Sequence, residues 1–325
     1  MPIIAVRPLS APSGRGIPDS PPIQDSIEVT MSTQSAVSGA LVVAVLSLLI
    51  TSPGCSGVRG TINPPPASAH VFLVVEENHS YSQVIGNRSM RYLNSLASKY
   101  GLATQYYADA HPSIGNYFML TTGQIETLND AFTGTITDDN IVRELANANK
   151  TWRSYAESLP STGYLGGDVY PYLKHHNPFT YFSDVVGTTQ ANNVVAFSQL
   201  PSDLAAGNPP DFSFIIPNAL NDAHDGTLAA ADQWLSANIG PLIASPSFQN
   251  GGLLIIVFDE SVLTDLSHTG GHVAALIIGP QVKSGYPSTT FYQHQSTLRL
   301  ILSTLGVSTF PGASAAAPDM GEFFK

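Results

Sequence analysis

Val71–Ser80 reads VFLVVEENHS. Its five apolar residues run without alternation, and three of them are β-branched. That pattern fits a strand buried on both faces. Two carboxylates and an amide follow at once, in a chain where only 11% of residues are charged. Strand alternation points Glu76 and Glu77 to opposite faces, so Glu77 and Asn78 are read as the working pair and Glu76 as a brace or cap.

The same arrangement recurs along the chain. GGLLIIVF ends in Asp259-Glu260, FSFII leads into PNALNDAHD, and ATQYY leads into DAHPS. HVAALIIGP and NNVVAF are further strand candidates. Between them lie helix-like segments. RSMRYLNSLASKYG stops at Gly101, and NYFMLTTG follows Pro112-Ser113. DDNIVRELANANKTWRSYAESL reads as one or two Asp-capped helices. DGTLAAADQWLSANIGPLIAS opens at Asp225-Gly226, and QHQSTLRLILSTLG is amphipathic. Buried strands alternating with helices predict an α/β sandwich around a mainly parallel sheet. Ligands in such folds bind at the carboxyl ends of strands, which is where the polar clusters fall.

The chain has 325 residues, is 43% hydrophobic and carries a net charge of -11. One large domain, residues 70–325, is expected after an extension over residues 1–69. Thirteen basic residues cannot supply a wide phosphate-backbone footprint, so no nucleic-acid partner is expected. A single cysteine, Cys55, excludes an intrachain disulfide and Cys-rich zinc sites. Any metal must use oxygen and imidazole ligands. ALVVAVLSLLI (Ala40–Ile50) suits the apolar part of an export signal and is short for a membrane span. Met31 is an alternative start. Cys55 follows Ser-Pro-Gly as in a lipoprotein attachment site, although Ser52 stands where an aliphatic residue is expected. Export to the cell envelope or beyond is therefore expected, with membrane association through this segment or through lipidation of Cys55.

Five constellations could carry chemistry. Glu77-Asn78 offers hard oxygen ligands on a rigid base, or merely a strand terminus. Ser113 could cap a helix, or act as a nucleophile where the helix N-terminus favours anions, with Asn116 one turn on as a phosphate donor. His224, between Asp222 and Asp225, could be a ligand, a proton donor or part of a plain turn. Asp259-Glu260 at the end of a buried strand is costly unless a cation neutralises it, and His268 and His272 follow. Lys174, His175 and His176 lie in a Pro-bounded loop that could meet phosphate or form a lid.

Together, EEN, HPSIGNYFMLTTG, KHHNPFTYF, PNALNDAHDG and FDES with GGHVAALIIGP resemble, in content and order, the metal-dependent phosphoesterase family of secreted acid phosphatases and bacterial phospholipases C. The resemblance spans residues 70–310. It implies an alkaline-phosphatase-like three-layer α/β/α sandwich that hydrolyses phosphate monoesters through a phosphoserine intermediate. By the same resemblance, Ser113 is the nucleophile, and Glu77, Asn78, Asp259 and Glu260, with His272, hold a divalent metal cation of unknown identity. His224 matches a histidine near the phosphate or the leaving oxygen. On the residues' own chemistry, Asn116, Lys174 and His175 are expected to bind the substrate, a small phosphorylated molecule.

Two features depart from the family pattern. The usual Pro-Ser-Leu-Pro-Asn is Pro-Ser-Ile-Gly-Asn here, with Gly115 expected to loosen the loop. His79 stands where the phospholipase branch has Arg, which favours the acid-phosphatase branch. A phospholipase C-type phosphodiesterase and a non-catalytic surface protein that keeps the fold are the alternatives.

Overall fold

The structure, a computed structural model, describes residues 64–325. Met31, the Ala40–Ile50 run and Cys55 lie outside the described residues. Among the described residues no helix is long and apolar enough to cross a membrane.

Among the described residues ten strands are present: β1 Val71–Glu76, β2 Gly101–Ala103, β3 Tyr106–Tyr107, β4 Trp152–Ala156, β5 Val194–Ala196, β6 Phe212–Ile216, β7 Leu253–Phe258, β8 Ala275–Ile278, β9 Tyr286–Ser288 and β10 Tyr292–Gln293. Eight form one sheet in the order β5-β4-β6-β1-β7-β8-β2-β9, and β10 pairs with β3 separately. From β5 to β7 every pairing is parallel, and β8 runs antiparallel to both its neighbours. The reversal has a local cause. Parallel neighbours need a crossover, usually a helix, whereas β7 and β8 are joined by an irregular loop with no helix of its own.

All six residues of β1 and of β7 are buried, so both faces of the sheet are covered. The helix Arg91–Lys99 packs on Leu228–Ala244, and Ser113–Thr122 packs on His294–Thr304. Each Val, Leu or Phe buried in β1 contributes about 1.5–3 kcal/mol relative to exposure. β1 lies between β6 and β7 with Glu76 level with Phe258. That register sets Glu77 beside Asp259, and the Asp259 N–H donates to the Glu76 carbonyl at 2.9 Å.

Several elements differ from the sequence reading. The long segment from Asp138 yields one short helix, Ile141–Asn147, and then β4. Its cap is Asn140, whose side chain accepts from the N–H groups of Val142 and Arg143. Pairing of WRSYA between β5 and β6 outweighs its local helical spacing. The helix placed at Asp225-Gly226 begins instead at Leu228, capped by Thr227. The helix before Gly101 does stop there, ending at Lys99 with Tyr100 as its cap, and Gly101 also begins β2, where a Cβ would meet the Phe323 ring at 2.5 Å.

Candidate active site

The helix Ser113–Thr122 begins at the serine itself, after an extended Pro112, and all ten of its residues are buried. It ends at Gly123, in the left-handed region at φ 70°. Gly115 does not loosen this segment. It is a buried helical residue, and a Cβ there would press on Leu128 at 3.0 Å and Ala110 at 3.3 Å. The helix N-terminus thus carries Ser113 rigidly up to the ends of β1 and β7.

There the serine hydroxyl meets two carboxylates. Its Oγ lies 3.2 Å from Glu77 Oε2 and 3.4 Å from Glu260 Oε1. Tyr117, one turn further along, donates its hydroxyl to Glu77 Oε1. Asn78 takes a left-handed backbone at φ 58°, which Asn tolerates, and its N–H donates to Asp259 Oδ1 at 3.1 Å. His111 Nδ1 lies 2.8 Å from Glu260 Oε2, and that contact raises the His111 pKa. Glu77, Ser113, Asp259 and Glu260 thus lie together, and Asn78 joins them through its backbone N–H.

The electrostatics favour a cation. Burial, then the Asp259 and Asp222 carboxylates, push Glu77 well above the usual carboxylate range. Burial and Glu260 do the same to Asp259, against hydrogen bonds from Asn78, Glu77 and Ser113. Asp259 Oδ2 is buried with no hydrogen-bond partner. Crowded, desolvated carboxylates with an orphaned oxygen suit a divalent ion, and hard oxygen donors fit such ions.

A second cluster shares Glu77. Ligand atoms of Glu77, His176 and Asp222 lie within 4.8 Å of one another, as do those of His175, His176 and His224. The His176 ring is stacked on Tyr117, with Nε2 3.4 Å from Glu77 and Nδ1 3.3 Å from Asp222. Two ionised carboxylates would draw a proton onto this ring. Burial and the neighbouring His224 oppose that and hold His176 down to about 3, while burial pushes Asp222 up to about 8. His175 is likewise held down to about 4 by burial and His176. His224 sits at the mouth, 5.5 Å ring to ring from His176, with Nδ1 2.8 Å from Asp225 Oδ1. Ala223, at φ 75°, makes the turn that presents it.

Three expected residues are placed otherwise. His272 is not with the carboxylates: Tyr81 and Tyr107 sandwich its ring at 4.4 and 4.8 Å, and Nε2 contacts the Thr104 carbonyl at 3.0 Å. Asn116 is fully buried and committed to backbone. Its Oδ1 accepts from the N–H groups of Asp109 and Ala110, and its Nδ2 donates to the Ala110 carbonyl, so it shapes the turn before Ser113 rather than offering a phosphate donor. Lys174 extends over the Tyr181 ring at 4.3 Å and lines a neighbouring cavity instead of meeting the carboxylates.

Four participants escaped the sequence reading: Tyr117, His111, His176 as a bridge, and His294. His294 Nε2 contacts the Asp259 carbonyl at 2.6 Å, and burial holds its pKa down to about 4. Tyr117 alone had a legible signal, its i+4 spacing from Ser113. Glu76, on the opposite face, braces nothing: it is fully buried and neither carboxylate oxygen has a hydrogen-bond partner.

Comparison with known proteins points the same way. A model of the Phosphoesterase family matches residues 87–308, a span that includes Ser113, Asp259 and Glu260 and begins after Asn78. A phosphatidylinositol-3-phosphatase of Mycobacterium tuberculosis is 31% identical over 285 residues, which is 87% of this chain and 91% of that protein. An acid phosphatase of Aspergillus fumigatus is 29% identical over 249 residues, 73% of this chain and 54% of that protein. The chain thus spans about half the length of that fungal relative. Among solved structures, an alkaline phosphatase superfamily protein from Vibrio parahaemolyticus aligns with a TM-score of 0.57 at 13% identity, over 76% of this chain and 69% of that one. A lipoteichoic acid synthase from Listeria monocytogenes aligns with a TM-score of 0.53 at 11% identity, over 75% and 73%. These two likenesses concern the fold.

Proposed function

Because the chain belongs to the Phosphoesterase family and is a phosphoric ester hydrolase, we propose that it hydrolyses phosphate monoesters through a phosphoserine on Ser113. The observation that carries this reading is the Ser113 hydroxyl, at the N-terminus of a buried helix and within 3.4 Å of two carboxylates.

Ser113 Oγ attacks phosphorus and its proton passes to a neighbouring carboxylate, with Glu77 and Glu260 both in reach. His224 protonates the departing alcohol oxygen, and Asp225 orients its ring. Water then attacks the phosphoserine, Oγ leaves and regains a proton, and inorganic phosphate is released. Glu77, Asn78, Asp259 and Glu260 would hold a divalent cation; when bound, it lowers the hydroxyl pKa and offsets charge on phosphate that these carboxylates would otherwise repel. Tyr117 fixes Glu77, His111 fixes the Glu260 carboxylate, and His294 holds the Asp259 backbone carbonyl.

The Mycobacterium tuberculosis relative is named a phosphatidylinositol-3-phosphatase, and a phosphatase among the relatives supports the monoester reading over a diester one. Export, proposed from the Ala40–Ile50 run, would bring the enzyme to extracellular or envelope phosphate esters. The test compares wild type and Ser113→Ala on 4-nitrophenyl phosphate and a choline phosphodiester, before and after chelation. Wild type should cleave the monoester, lose activity on chelation and recover with added cation. Ser113→Ala should lose at least about a thousandfold in kcat, the scale of losing a nucleophile. Undiminished Ser113→Ala activity would sink the mechanism, and faster cleavage of the diester would make the protein a phosphodiesterase.

A further inference from the structure

Beside the site lies a cavity of about 330 Å³ that the mechanism above does not use. Asp130, Phe132, Leu165, Asp168, Lys174 and Tyr181 are among the residues that line it. Its size falls within the range of small-molecule pockets, about 300–1,000 Å³. Two links tie it to the reacting centre. Asp130 Oδ1 accepts from the N–H of Ile114, the residue after the nucleophile, at 3.2 Å. Lys174 opens the helical turn Lys174–His176 that carries His175 and His176 into the site.

The lining has a definite chemistry. Phe132 is stacked on Tyr181 at 5.8 Å, and the Lys174 ammonium lies over the same Tyr181 ring at 4.3 Å. Two carboxylates and one ammonium leave the cavity with a net negative charge, which disfavours a second anionic group on the substrate. A plain alkyl chain would desolvate three charged groups without replacing their hydrogen bonds. A ring bearing several hydroxyls meets both demands. Its hydroxyls donate to the carboxylates and accept from the ammonium, and its polarised C–H groups lie against the negative face of an aromatic ring.

We propose that this cavity is the subsite for the alcohol leaving group and takes a ring polyol, a sugar or a cyclitol, with its C–H face on Phe132 and its hydroxyls on Asp130, Asp168 and Lys174. The proposal rests on the phosphomonoesterase reading and names its substrate class.

The experiment measures kcat/KM of the cation-loaded full chain on glucose 6-phosphate, myo-inositol 1-phosphate and ethyl phosphate. Phe132→Ala removes the stacking face. Asp168→Asn removes one of the two lining carboxylates that would accept from the ring hydroxyls. Wild type should prefer at least one ring substrate over ethyl phosphate. Each variant should lose about tenfold on that substrate through KM, with ethyl phosphate little changed. Equal losses on all three substrates, or a wild type indifferent to the ring, would overturn the subsite while leaving the monoesterase reading intact. Hydrolysis of none of the three by wild type would overturn that reading, and the subsite with it. Melting curves for both variants separate a lost contact from a lost fold.

Discussion

Glu77 shows how much one residue is asked to do. It follows directly on β1, and its two oxygens contact Ser113, Tyr117 and His176. That position was legible because a buried strand breaking into carboxylate and amide is unusual in a chain with so little charge. His272 was misread for the opposite reason. A histidine leaving a Gly-rich loop beside two carboxylates looks like a ligand, and local sequence does not reveal that Tyr81 and Tyr107 come from elsewhere to enclose it. The two residues make opposite predictions. His272→Ala should leave divalent-cation affinity, measured by calorimetry, unchanged, and should destabilise by about 1 kcal/mol through lost stacking. Asp259→Asn should weaken cation affinity at least about tenfold, as loss of a hard anionic ligand does. A large affinity loss in His272→Ala would restore it to the metal site.

At the scale of elements, the turn from Asp109 to Ser113 positions the nucleophile, and it is built on buried polar groups. Asp109 sits against the N-terminus of the helix His294–Thr304, accepting from the His294 N–H at 3.3 Å. Burial nevertheless pushes its pKa up to about 7. The folded state therefore holds this proton more tightly than the unfolded chain, whose Asp titrates near about 4. Asp109 costs nothing below that pH, and destabilises increasingly as pH rises from about 4 to about 7, by a few kcal/mol at the plateau. Asp109→Asn should accordingly raise Tm at pH 8, raise it less at pH 5 and leave it unchanged near pH 4. A Tm gain equal at all three values would show that ionisation is not the cause. The helix beginning at Ser113 was legible from Pro112 and the Gly123 stop. β4 was not, because its strand character depends on β5 and β6 being there to pair with it.

Across the whole molecule, the sheet order brings together the ends of β1, β6 and β7, whose sequence positions lie far apart. Alternating buried strands made the layered fold legible, and the polar clusters at their ends made the site's location legible. The fine geometry of the site was not, because the bridge through His176 and the backing by His294 are long-range contacts. The resulting concentration of buried carboxylates leaves the cation-free protein under electrostatic stress. Saturating divalent cation should therefore raise Tm, by about 2.7 kcal/mol of stabilisation at a hundred times Kd, and at the same cation concentration Asp259→Asn should cut that gain to about half or less. An unchanged Tm in differential scanning calorimetry with and without chelator would argue that these carboxylates hold no ion.

The central claim is that Ser113 takes the phosphoryl group. Cation-loaded enzyme mixed with a phosphate monoester, quenched in acid during turnover and digested for mass spectrometry, tests it directly. The account predicts a phosphoryl adduct on Ser113 that forms with substrate and is absent in Ser113→Ala. Unmodified Ser113 during rapid turnover would contradict it.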